Sequence, residues 1–118
     1  MSKENIILTK TYHFSLYIIA IYRELCEMKK EFVLSKQLLR SATSIGANSE
    51  EASAGITKKD FINKYQIAYK EAKESHYWLR LLRDSKLLEM GRANEALVQC
   101  EEIIRILNAI LQSSKSNL

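Results

Sequence analysis

Apolar side chains recur along this chain every three or four positions, the spacing that gathers them on one side of an α-helix. Phe14, Ile18, Ile21, Leu25 and Met28 form the first such seam, within a helix predicted from about Thr9 to Lys30. Tyr12, Leu16, Ile19, Tyr22 and Cys26 lie on a second face of the same helix. One seam is enough for an intramolecular bundle, so the second face is expected to meet another subunit.

A second helix is predicted from about Ser35, as N-cap, to Ala54, with Leu38, Ala42, Ile45, Ser49 and Ala52 as its seam. These side chains are small and let a neighbouring backbone come close. Gly46 costs about 1 kcal/mol against alanine in mid-helix, which points to tight contact at Gly46 and Ala47. Gly55 fits the position after a helix end, where a positive φ is cheap. A third helix opens on Thr57-Lys58-Lys59-Asp60, a capping-box-like signal, and continues to about Lys86. Phe61, Tyr65, Ala68, Ala72, Ser75, Leu79 and Leu82 are its seam. The fourth is predicted from about Met90 to Gln112, with Ala93, Leu97, Cys100, Ile104, Leu107 and Leu111 inside and Ile103, Ile106 and Ile110 on a flanking face. Residues 113–118 read as a frayed polar tail.

Four helices of this length with short connections predict an all-α fold, an antiparallel up-down-up-down four-helix bundle. Composition agrees. The chain has 118 residues, no proline and three glycines, which disfavours a β-sandwich or a glycine-rich phosphate loop. It reads as a single domain over 1–118, able to bury a core without disulfide or metal. Its longest apolar run, Leu16 to Tyr22, is too short to span a bilayer, and the start lacks a secretory core segment. Cys26 and Cys100 sit on apolar stripes and are expected to be buried, inert thiols, consistent with a reducing cytoplasm.

The net charge is +4. All of that surplus falls between Lys58 and Lys86, where Lys58, Lys59, Lys64, Lys70, Lys73, Arg80, Arg83 and Lys86 outnumber four acids. Such a strip is either a solvated helix face with i,i+4 pairs, the preferred reading, or a surface for phosphates or an acidic partner. Tyr65, Tyr69, Tyr77 and Trp78 interleave with it and could stack bases, although aromatics at helical spacing are usually core or interface residues.

The stretch EFVLSKQLLRSATSIGANSEEASA (Glu31 to Ala54), then Lys59-Asp60-Phe61 and IAYKEAKESHYWLRLL (Ile67 to Leu82), resembles the bacterial four-helix-bundle proteins named after an open reading frame in the intervening sequences of 23S ribosomal RNA genes. The resemblance spans nearly the whole chain. It implies a small antiparallel bundle that assembles as a closed ring of five, a homopentamer. The accessory variability proteins of diversity-generating retroelements are similar, and their likeness implies association with reverse transcriptase and nucleic acid. This chain is much less basic than those proteins and carries Ser49 where many relatives have an aliphatic residue.

Polar residues of the same motif share faces. Arg40, Ser44, Ala47 and Glu51 follow one another on the second helix with Asn48 beside them, and Glu71, Glu74 and Trp78 share a face of the third. In the preferred, structural reading Arg40 pairs with Glu71 or Glu74 while Asn48 and Glu51 complete the network, fixing helix register. In the functional reading these residues form a shared polar site in an oligomer lumen or cleft.

No catalytic residue and no cofactor is predicted. A di-iron bundle needs Glu-x-x-His, whereas lysines, Lys10 and Lys73, stand three before His13 and His76. His76 reads as a half-exposed packing residue. No serine lies in a nucleophile elbow, and Glu50-Glu51 and Glu101-Glu102 point adjacent carboxylates to different faces. The sequence therefore predicts a non-enzymatic, self-associating scaffold, without membrane contact, whose subunit interface uses Tyr12, Leu16, Ile19, Tyr22, Gly46 and Ala47. The alternative is a sequence-nonspecific nucleic-acid-binding accessory factor that uses the basic strip and partners RNA, DNA or a nucleic-acid enzyme.

Overall fold

A computed structural model describes residues 2–116. Four α-helices account for them, α1 (Lys3–Lys29), α2 (Leu34–Ser53), α3 (Lys58–Asp84) and α4 (Met90–Ser116), with no strand among the described residues. Each helix packs on its sequence neighbours, and α4 closes back onto α1, so the helices stand at the four corners of one bundle around a single core, and among the described residues the backbones of diagonal pairs do not come close. Contacts between neighbours fall in reverse chain order. Gly46 faces Thr11 while Ser35 lies by Cys26, and Glu102 pairs with Lys10 while Arg92 pairs with Glu24.

α1 begins at Lys3 rather than near Thr9. The Ser2 hydroxyl accepts the Asn5 N–H and caps it, and Ile7 is fully buried, which extends the seam two turns upstream. Along that seam Phe14, Ile18, Ile21 and Leu25 are buried, but Met28 is 76% exposed because the bundle ends there. α2 keeps its whole predicted seam: Leu38, Ala42, Ile45, Ser49 and Ala52 are all within 1% of full burial.

Its start differs. Ser35 is not the cap; it lies inside the helix, buried, and its hydroxyl donates to the Glu31 carbonyl at 2.7 Å. The first turn is held instead by the Glu31 carboxylate, which accepts the N–H groups of Val33, Leu34 and Ser35 at 2.7–3.0 Å. Burial pushes that carboxyl up, yet the three N–H donors outweigh it and leave its pKa below the ordinary carboxylate value. Glu89 does the same for α4, accepting the Gly91 and Arg92 N–H groups. Thr57 caps α3 as expected, accepting from the Asp60 N–H at 3.1 Å.

Gly55 does not take a positive φ; the left-handed residues are Lys30, ending α1, and Lys86 after α3. α4 runs through residues 113–116 instead of fraying, and Ser114 is buried; Asn117 and Leu118 lie outside the described residues. Its core face keeps five of the six predicted seam residues and is wider than the prediction, with Ile104 alone displaced to the margin. Ile103 and Ile110 are buried with Ala93, Ala96, Leu97, Cys100, Leu107 and Leu111, while Ile104 and Ile106 sit half-buried at the margins. Phe61 likewise stays at the edge of the core, edge-on to the buried Tyr65 ring.

Candidate functional site

The most concentrated polar cluster joins α2 to α3. Arg40 donates one guanidinium nitrogen to Glu71 Oε2 at 2.8 Å and another to Glu74 Oε2. Trp78 Nε1–H, one turn after Glu74, donates to the same Glu74 oxygen at 3.1 Å. Burial alone would lower the Arg40 pKa, but the two carboxylates outweigh it and hold the charge more firmly than usual. The Arg40 side chain is 51% exposed and that of Glu71 only 16%, so the cluster lies on the bundle surface with its acidic side recessed. Directly beneath it, Ser41 and Ser75 meet hydroxyl to hydroxyl in the buried seam.

Asn48 and Glu51 do not complete this network. The Asn48 amide turns back on its own helix and donates to the Ser44 carbonyl at 2.9 Å and hydroxyl at 3.0 Å. Glu51 pairs separately with Lys64 at 2.9 Å, nearer the other end of α2. Ser44 is therefore tied to Asn48 and is not joined to Arg40.

The basic strip divides as well. Lys64 is taken by Glu51, and Arg83 bonds Asp84 at 2.8 Å and Asn94 at 3.2 Å. Arg80 Nε–H donates to His76 Nδ1 at 3.1 Å, which leaves Nε2–H of His76 to donate to Glu101 at 2.9 Å. His76 is thus a polar bridge from α3 to α4 and not simply a packing residue. Lys58, Lys59, Lys70, Lys73 and Lys86 are exposed and have no ion-pair partner among the described residues. Of the interleaved aromatics only Tyr77 is open to solvent; Tyr65 is fully buried, and Tyr69 and Trp78 are half-buried.

On a separate flank, the second face of α1 remains uncovered by its own chain. Tyr12 is 63% and Leu16 49% exposed, and Ile19 and Tyr22 are half-buried. Beside them a groove of about 190 Å³ runs between α1 and α2, lined by Thr11, Tyr12, Ser15, Thr43, Gly46, Ala47 and Glu50. Three residues assigned to the interface from sequence thus fall together. Ala47 is exposed there, whereas Gly46 is buried against Thr11 of the same chain. Sequence reading missed Glu50 on this rim, because an adjacent glutamate pair signals nothing about which member faces a neighbour.

The sequence profile of the 23S rRNA-intervening sequence proteins matches residues 3–109. This chain belongs to that family. A crystal structure of a protein of unknown function from the S23 ribosomal protein family of Bacteroides thetaiotaomicron is similar, with 40% sequence identity and a TM-score of 0.92 over 94% of this chain and 99% of that one. Comparison with curated proteins finds no match. The span matched to the intervening-sequence family takes in the Arg40 cluster, the basic strip and the α1 flank alike, so membership alone does not single out one of them.

In this member of the intervening-sequence family, the described residues include no group of three or more His, Cys, Asp or Glu side chains arranged to hold a metal ion, and no helix long and apolar enough to cross a membrane. Cys100 is buried, donates weakly to the Ala72 carbonyl at 3.3 Å, and has its thiol pKa pushed by burial to about 12. Cys26 is only half-buried, beside Ser35, contrary to the expectation of two fully buried thiols. A thiol held protonated among aliphatics is a poor nucleophile.

Proposed function

We propose that this protein is a non-enzymatic cytoplasmic scaffold that associates with copies of itself, as an up-down-up-down bundle packed into a ring of five. The observation that carries the reading is the unburied second face of α1. A helix with one seam fully buried has no internal use for a tyrosine and a leucine left 63% and 49% exposed on another face. The small-residue groove beside them, with Ala47 at the surface, lets a partner helix approach closely. Burying such a face removes apolar area at roughly 25 cal/mol per Å², the main favourable term in association.

The reading is tested by Tyr12→Glu with Leu16→Glu. Both side chains are substantially exposed, so helicity and thermal stability of the subunit should be retained while assembly is lost. Unchanged mass in the variant would contradict the use of this flank.

A second reading, binding of nucleic acid along α3, is favoured by the exposed lysines that lack ion-pair partners. Binding to a labelled duplex should then weaken steeply as salt rises, through counterion release. Absence of binding at low salt would end it.

A further inference from the structure

A ring built from one kind of subunit needs two different faces per copy, each contacting its complement on the next. The α1–α2 flank supplies one. From the remaining surface, we propose that the complement is the outer face of α3 on a second copy, with Glu50 and its flank receiving Lys59 and Lys70, and Leu16 and Ile19 receiving Tyr77 and Leu81. This rests on the self-association reading and names the surface that satisfies it.

The first argument is charge. Glu50 is exposed on the rim of the α1–α2 groove and Glu4 stands at the same end of the bundle, both bearing electrostatically on the buried Tyr65 hydroxyl. Neither carboxylate has an ion-pair partner among the described residues. On α3, Lys59 and Lys70 are exposed and equally unpaired. Unsatisfied charges of opposite sign on two separate flanks of one subunit satisfy each other between copies, which gives register and partner choice.

The second argument is level along the bundle. Glu51 is paired with Lys64, so Glu50 stands near the N-terminal third of α3, at the height of its lysines. Gly46 marks the height of Thr11, and Arg40 the height of Glu71 and Glu74. Leu16 and Ile19, one to two turns beyond Thr11, therefore stand near the height of Tyr77, which is 47% exposed, with Leu81, 36% exposed, about one turn further along α3. Acidic then apolar on one flank meets basic then apolar on the other, in the same vertical order. A rotation about an axis parallel to the helices superposes the two without sliding one copy along the other.

The third is closure. The α1–α2 flank and the outer face of α3 are separated by the α2 corner and are not directly opposed, so successive copies turn about an axis and can close into a ring. Faces on opposite sides would give an open filament instead.

The experiment is a charge exchange read by sedimentation equilibrium, with circular dichroism as the folding control. Glu50→Lys should raise the dissociation constant at least about tenfold, as should Lys59→Glu with Lys70→Glu, and the triple variant should recover most of the loss. Leu81→Glu should dissociate the assembly without altering helicity. If the wild type assembles and Tyr12→Glu with Leu16→Glu dissociates it, but every α3 variant keeps the wild-type mass, the α1 flank meets a different surface and this inference falls alone. If the α3 lysine variant loses duplex binding while its mass is unchanged, the strip serves nucleic acid, which also overturns it. A monomeric wild type removes the self-association reading and the inference together.

Discussion

The hydroxyls of Ser41 and Ser75 meet at 2.8 Å inside the α2–α3 seam, both fully buried. Each also has a carbonyl of its own helix within reach, Leu38 for Ser41 at 3.2 Å and Glu71 for Ser75 at 3.0 Å. The pair is small enough to let the two helices close up, and the Arg40 bridge to Glu71 and Glu74 lies across the same contact. Ser41→Ala or Ser75→Ala alone should cost about 1 kcal/mol, because the surviving hydroxyl still has a carbonyl acceptor. The double variant should cost clearly less than the sum, since both singles break the same bond. Ser75→Leu overpacks the seam and should cost about 1–3 kcal/mol. Denaturant unfolding of the four variants measures this.

Tyr65 is fully buried and its hydroxyl finds no hydrogen-bond partner among the described residues. Tyr65→Phe keeps the ring and its edge-on contact with Phe61 while removing an unsatisfied polar atom. It should be neutral or stabilising by up to about 1 kcal/mol, whereas Tyr65→Ala should cost about 3–5 kcal/mol through the cavity. Burial pushes the Tyr65 pKa from 10.0 to about 12. A raised folded pKa contributes stability below the unfolded value and loses it as pH climbs through the folded one. The wild type should therefore weaken relative to Tyr65→Phe between pH 10.0 and about 12.

A methyl group added at Gly46 would meet Thr11 Cβ and Oγ1 at 3.5 Å, ordinary van der Waals contact. The helix approach is close but does not exclude alanine. Gly46→Ala should stabilise the chain by up to about 1 kcal/mol through helix propensity, read as a raised melting temperature. A loss of stability would mean that a tighter neighbour occupies the groove.

Glu31→Gln should lower stability at neutral pH by about 1 kcal/mol, as for loss of a helix cap. The folded carboxyl lies below its ordinary value of 4.5, so its contribution is present above that value and fades as pH falls through the folded one. The gap between variant and wild type should therefore close in acid, which a pH series of melting temperatures reports.

The seams of α2 and α3 were legible because small or bulky apolar residues alternate at three and four with charged residues between, so one phase fits. In α4 five of the six seam positions were legible too, but Ile104 was misplaced because Ile103, Ile104, Ile106 and Ile110 offer two phases nearly as apolar, and only packing selects Ile103 and Ile110. The cap of α2 was missed because Glu31 reaches forward across two residues, whereas Ser35 has the composition of a cap but its hydroxyl turns back to a carbonyl. In the polar cluster, Arg40 with Glu71 and Glu74 follows from facing motif positions. The Asn48 bond to Ser44 is local, a competition within one helix that spacing alone does not reveal. The exposed flank of α1 was readable as a second apolar phase, while its charged rim at Glu50 required the geometry of the α1–α2 groove.

The solution mass of the intact protein tests the central claim, that copies of the chain cover the α1 flank for one another. Sedimentation equilibrium across a range of concentrations should give a closed species at five times the 13.6 kDa subunit mass, reduced to the subunit in Tyr12→Glu with Leu16→Glu. A wild-type protein that stays at 13.6 kDa at every concentration would contradict it.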